Sequence, residues 1–129
     1  VNCRMIRLAE IYLNYAEVMN ELNDRTTAVE YINKVRRRAN MADLKATSFA
    51  SRDQLLDQIK HERVMELASE CLRWPDLDRW GDLYTQQGIN EIASRDADFQ
   101  TFTLGKSNLF PIPQREIDYY PGLTQNPKY

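Results

Sequence analysis

Polar and apolar positions in the first forty residues recur at helical spacing. Arg7, Glu10, Asn14, Glu17 and Glu21 form a polar stripe, and Leu8, Tyr12, Tyr15, Met19 and Leu22 form an apolar one opposite. Steps of three and four predict an amphipathic helix from about Arg4 to Leu22, stopped by Asn23 and Asp24. A second helix is expected from Thr27, because Thr27 and Glu30 have the spacing of a capping box. Its narrow face carries Ala28, Ile32, Val35 and Ala39, small and branched residues that let a neighbour approach closely. The short link predicts an antiparallel pair over residues 4–40.

Residues 40–50 are polar and small, as in a loop. Ser51 and Gln54 repeat the capping pattern and open a third helix to about Cys71. Arg63 falls inside that helix's apolar arc, between Ile59 and Leu67. A desolvated arginine without a partner is strongly destabilising, so pairing with Glu66, Glu70 or a carbonyl of the tail is expected. Pro75 suits the first turn of a short fourth helix, which completes the helical stretch 51–83. There Asp76 and Arg79 can pair across one turn. Periodicity fades over 84–108, the irregular part, where Phe99 to Leu104 alternates enough for a short extended segment. Four of the five prolines then fall in residues 109–129. Proline fixes its own φ and biases the preceding residue toward extended backbone, so this tail reads as a stiff strap with at most one helical turn. Leu109, Phe110, Ile112, Ile117 and Leu123 on it should lie along a groove of the preceding helices.

The 129 residues suffice for one domain with a real core, and 43% hydrophobic with 28% charged residues is an ordinary globular composition. The 17 basic and 19 acidic residues leave a net charge of -2, which speaks against nucleic acid as the main partner. The basic run Arg36-Arg37-Arg38 sits where it complements a helix C-terminus. No apolar run spans a bilayer. Cys3 and Cys71 could form a disulfide only if the fold brings them together, and two free thiols, with Cys71 packed on a helix, is the plainer reading. A single histidine, His61, rules out a His-rich metal site within the chain, and it should lie near the edge of the third helix's apolar arc. Counted as a calcium loop from Asp76, the sixth position is Gly81 but the twelfth is Gln87, not the closing glutamate. Asp76, Asp78 and Asp82 therefore read as surface charges, and Asp96 and Asp98 as loop carboxylates. No cofactor, no metal and no catalytic residue is expected, for the chain has neither a glycine-rich phosphate loop nor a nucleophile elbow.

Three stretches together carry a family resemblance. The tail reads Leu-Phe-Pro-Ile-Pro, then Glu-Ile, then Pro-Gly-Leu-Thr-Gln-Asn-Pro. Upstream stand Arg7-Leu-Ala-Glu-Ile-Tyr-Leu-Asn-Tyr-Ala-Glu17, and then Glu62-Arg63, Glu66-Leu67 and Arg73-Trp-Pro-Asp-Leu-Asp-Arg-Trp-Gly81. In this order they resemble the SusD/RagB family, outer-membrane glycan-binding lipoproteins of Bacteroidetes.

The resemblance implies an all-α fold of TPR-like antiparallel helix pairs closed by the proline-rich strap. It implies one domain over 1–129, the C-terminal TPR-like part of a longer protein. The first helix pair has roughly the length of one TPR unit, and a single unit cannot bury both its faces, so further repeats are expected upstream. The N-terminus then reads as a cut edge, with the lipid-anchor segment missing. The implied activity is non-catalytic capture of oligosaccharides at the cell surface and delivery to a SusC-like TonB-dependent transporter, this part supplying mainly scaffold. The implied location is the outer membrane, through a lipid anchor that this chain does not contain. The alternative is a helical-repeat module that binds another protein without a glycan role. The candidates for a sugar platform are Trp74 and Trp80, flat aromatics of the kind that stack on sugar C–H faces. They share their spacing with Leu77 on a helix that must pack, so core packing is the favoured reading of both.

Overall fold

In the computed structural model, which describes residues 6–129, six α-helices and three short 3-10 turns carry the chain, with no strand among the described residues. The chain forms two compact units, residues 1–73 and 74–129.

The first unit is built on α1 (Leu8–Glu21), α2 (Arg25–Arg38) and α3 (Arg52–Glu66). Its core is Leu13, Ala16, Ala28, Val29, Ile32, Val35, Leu55, Ile59 and Leu67. The face of α1 that enters this core is not the one its broadest apolar arc predicts. Leu13, Ala16 and Asn20 are buried, Tyr12 and Met19 are partly buried, and Leu8 and Leu22 stay 62% and 68% exposed. Ala16 and Ala28 are both fully buried, small residues of the core that α1 and α2 share. The expected start at Arg4 lies outside the described residues, as does Cys3.

The cap of α2 also differs from expectation. Asp24, not Thr27, is the N-cap, and its carboxylate accepts from the Thr27 amide at 3.0 Å and the Thr27 hydroxyl at 2.7 Å. The Ser51–Gln54 capping box forms as the spacing predicts: Ser51 accepts from the Gln54 amide, and the Gln54 side chain accepts from the Ala50 amide. Helix α3 stops at Glu66, earlier than expected. Cys71 lies beyond it as an exposed free thiol at φ 60°, not packed on a helix.

The arginine run does more than cap α2. Arg36 reaches Glu62 of α3 at 2.5 Å, Arg38 binds Glu66, and Arg37 joins Glu30 and Asp43 at 2.9 and 2.6 Å. Arg63 is buried as predicted and donates to Asn14 of α1 at 2.5 Å, a partner the sequence reading did not nominate. Glu66 and Glu70, the partners expected for it, both accept from Arg7. Two buried amides hold irregular backbone: Asn33 pairs with both the amide and the carbonyl of Leu44, and Asn20 donates to the Arg52 carbonyl.

Three exposed carboxylates have their pKa values lowered in the fold: Asp24 by the Thr27 hydroxyl and amide, Asp43 by Arg37, and Glu70 by Arg7. A carboxylate whose folded pKa is depressed contributes stability above its unfolded pKa and loses it as pH falls through the folded value. The melting temperature should therefore drop as pH is lowered through about 4 and below, where unfolded carboxylates titrate. Asp24→Asn keeps the cap acceptor without the charge and should lessen the drop. A melting temperature flat over this interval would contradict these three shifts.

The second unit contains α4 (Arg73–Arg79), α5 (Gln86–Ala93) and α6 (Gln114–Tyr119). Leu77, Leu83 and Ile89 are its fully buried apolar side chains. Helix α5 lies in the stretch expected to be irregular. Thr85 caps it by accepting from the Gly88 amide, and Gly88 nearly touches the backbone of Asp82. The segment expected to be extended, 99–104, instead begins inside a 3-10 turn, Ala97–Thr101, capped by Asp96, and turns extended only at Phe102.

The tail doubles back on itself. The Gln125 side chain accepts from the Ile112 amide and donates to the Ile112 carbonyl, at 2.8 and 2.9 Å. Asn126 donates to the Phe110 carbonyl at 2.6 Å, and the Tyr129 hydroxyl to the Leu109 carbonyl at 2.8 Å. Between these arms α6 makes the single helical element. Ile112 and Ile117 are half-buried, and Phe110 is 87% exposed.

Candidate functional site

Trp74, in the first turn of α4, lies against Phe99 and Phe102, with ring centroids 6.4 and 6.3 Å away. The two phenylalanines stack on each other at 5.6 Å. Trp74 keeps 42% of its surface exposed, while Leu77 of the same helix is buried. Trp80 is half-buried, and the Arg79 guanidinium lies 4.7 Å from its ring. Arg79 also donates to Asp76 at 3.0 Å, the pairing that the i,i+3 spacing predicts. The other acids of this region are engaged too: Asp78 accepts from the Tyr84 hydroxyl, which raises the Tyr84 pKa, and Asp96 caps a turn. Among the described residues no three His, Cys, Asp or Glu side chains cluster as a metal would need.

In the first unit a polar cleft of about 350 Å³ opens where the α1–α2 turn meets the 3-10 turn Ala46–Ser48 and the start of α3. Asn20, Asn23, Arg25, Thr26, Thr47 and Arg52 line it. Arg25 is held by the Phe49 carbonyl at 2.5 Å, and Arg52 lies 3.4 Å from Glu21. This is a set of amide, hydroxyl and guanidinium groups, suited to hydrogen bonding and without a nucleophile–base pair. The sequence reading did not single it out. The one signal was Asn20, a carboxamide near the buried arc of α1, which the fold needs for the Arg52 carbonyl.

His61 is exposed on α3, away from the edge position expected for it. No helix among the described residues is long and apolar enough to cross a membrane.

These features define an all-helical protein, with a helical hairpin braced by a third helix and a tail clasped upon itself. The SusD family model matches residues 1–129, so the chain belongs to the SusD family. SusD-like protein P25 of Formosa agariphila is 36% identical over 95% of this chain, and SusD-like protein P2 of the same organism is 31% identical over 87%. The chain spans 23% of the length of each. Among solved structures, a SusD superfamily protein from Bacteroides vulgatus aligns over 96% of the chain with a TM-score of 0.75 and 30% identity. A SusD homolog from Bacteroides thetaiotaomicron aligns over 97% with a TM-score of 0.74 and 33% identity. The chain covers 27% and 26% of those two structures.

Proposed function

We propose that the chain is part of a non-catalytic, glycan-binding outer-membrane lipoprotein that delivers oligosaccharides to a SusC-like TonB-dependent transporter. The observation that carries this reading is the family match over all 129 residues. The chain itself supplies mainly scaffold. Residues that carry the resemblance are engaged in structural bonds: Arg7 with Glu66 and Glu70, Gln125 and Asn126 with the opposite arm of the tail. Trp74, against Phe99 and Phe102, and Trp80, beneath Arg79, serve packing before binding. The glycan contacts then lie in segments outside these residues, and the lipid anchor with them.

Affinity electrophoresis across a panel of polysaccharides tests this. The full-length protein should be retarded by at least one glycan, and residues 1–129 alone weakly or not at all. Strong retardation of the 129-residue chain that disappears in Trp74→Ala or Trp80→Ala would overturn the scaffold assignment. Absence of retardation of the full-length protein by every glycan would overturn the binding role.

A further inference from the structure

The two cysteines stand far apart in sequence, but one clamp in the first unit draws their neighbourhoods together. The Arg7 side chain, just ahead of α1, donates to Glu70 at 2.8 Å and to Glu66 at 2.6 Å, and also to the Glu66 carbonyl. Glu70 is the chain neighbour of Cys71, and Arg7 is four residues from Cys3. Cys3 lies outside the described residues, so chain length alone bounds its range. An arginine and a glutamate bonded end to end hold their Cα atoms within about 12 Å, and the step on to residue 71 adds about 4 Å. Four extended residues reach about 13–14 Å. A disulfide spans a further 5.5–6 Å or so between Cα atoms. Together these exceed the gap, so the bond closes without breaking the clamp.

Cys71 is held where such a bond can form. It is exposed, at φ 60°, in the turn beyond α3. The turn is pinned on both sides of the thiol: the Glu70 amide donates to the Leu67 carbonyl at 3.2 Å, and Leu72 packs on the core. Residues 3 and 71 also bracket α1, α2 and α3, so a bond between them closes a loop around nearly all of the unit 1–73. A crosslink over so long a loop restricts the unfolded chain strongly.

We propose that Cys3 and Cys71 form a disulfide that staples the chain ahead of α1 to the turn beyond α3.

The oxidant is another disulfide. The deprotonated Cys71 sulfur attacks one of its sulfurs, expelling a thiolate and leaving a mixed disulfide on Cys71. The deprotonated Cys3 sulfur then attacks the Cys71 sulfur, forming the staple and expelling the second thiolate. Two protein thiols are oxidised, one disulfide is reduced to two thiols, and the two protons pass to those thiols. The cell surface of the proposed function is an oxidising setting in which such a bond persists, and the bond is read without any glycan.

In the test, the reduced 129-residue chain is equilibrated with a glutathione redox buffer, quenched with N-ethylmaleimide, digested with trypsin and read by mass spectrometry. The expected product is the peptide of residues 1–4 joined to that of residues 64–73. Its yield should correspond to an effective thiol concentration at least about tenfold higher in the native protein than in urea. The oxidised chain should melt several degrees above its Cys71→Ser variant, and the reduced chain close to that variant. Alkylation of both cysteines with no linked peptide overturns the proposal, as do disulfide-bonded dimers in place of the linked monomer. Equal effective concentrations in native protein and urea overturn it too, and an oxidised chain that melts with the variant overturns the staple.

Discussion

Arg36→Ala is expected to destabilise the first unit by about 3–5 kcal/mol, the usual cost of stranding one member of a buried ion pair. The Arg36 and Glu62 side chains are 12% and 8% exposed and lie 2.5 Å apart. Removing Arg36 leaves the Glu62 carboxylate out of water beside the Gln58 amide, which donates to it at 2.7 Å. It also releases the Ala42 carbonyl, which accepts from the Arg36 Nε at 2.8 Å. Urea unfolding followed by far-UV circular dichroism measures the loss. A change below about 1 kcal/mol would mean that the pair behaves as an exposed one. The double variant Arg36→Met with Glu62→Met should recover much of the loss, because it removes both charges and keeps apolar volume. The pair's main contribution is then to fix where α2 meets α3.

The second large effect runs against helix propensity. Alanine normally improves on glycine inside a helix by about 1 kcal/mol. Gly88→Ala should instead destabilise the second unit by about 1–3 kcal/mol, the range for overpacking. A Cβ at Gly88 would stand 2.3 Å from the Asp82 carbonyl oxygen and 2.8 Å from the Asp82 Cα. Both are backbone atoms, so no rotamer change relieves the clash. Gly122→Ala is the control, since Gly122 has neither a positive φ nor any neighbour within 4 Å of the added carbon. Hydrogen exchange of the α5 amides should quicken in Gly88→Ala and hold in Gly122→Ala. Unchanged exchange in both would mean that the contact relaxes at little cost.

The same glycine explains why α5 was hidden in the sequence. A helix of eight residues with glycine at its third position lacks both length and propensity, and its identity rests on the Thr85 cap and the approach of Asp82. By contrast α2 and α3 were legible, because several turns of periodic apolar residues outweigh uncertain ends. Even there the cap of α2 was misplaced by one turn. Asp24 and Thr27 are both good capping residues, and the sequence alone does not show which one leaves helical geometry. The Trp74 and Trp80 positions were legible as aromatic, yet their neighbours Phe99, Phe102 and Arg79 come partly from chain too distant to align by spacing. The polar cleft around Asn20 and Arg52 was not legible at all. Its lining comes from three separate segments.

From the sequence alone came the all-helical class, the helix pair and the third helix, the buried place of Arg63 and, through the tail, the family. These rest on local information: periodicity around one axis, capping chemistry, and proline with its neighbours. Tertiary structure decided which of the two apolar arcs of α1 became the core. It gave Glu66 and Glu70 to Arg7, set the arginine run of α2 to bracing α3, and folded the tail onto its own Gln125 and Asn126. Period measures angle around a helix but not what stands opposite it. That choice left the Leu8-to-Leu22 row uncovered.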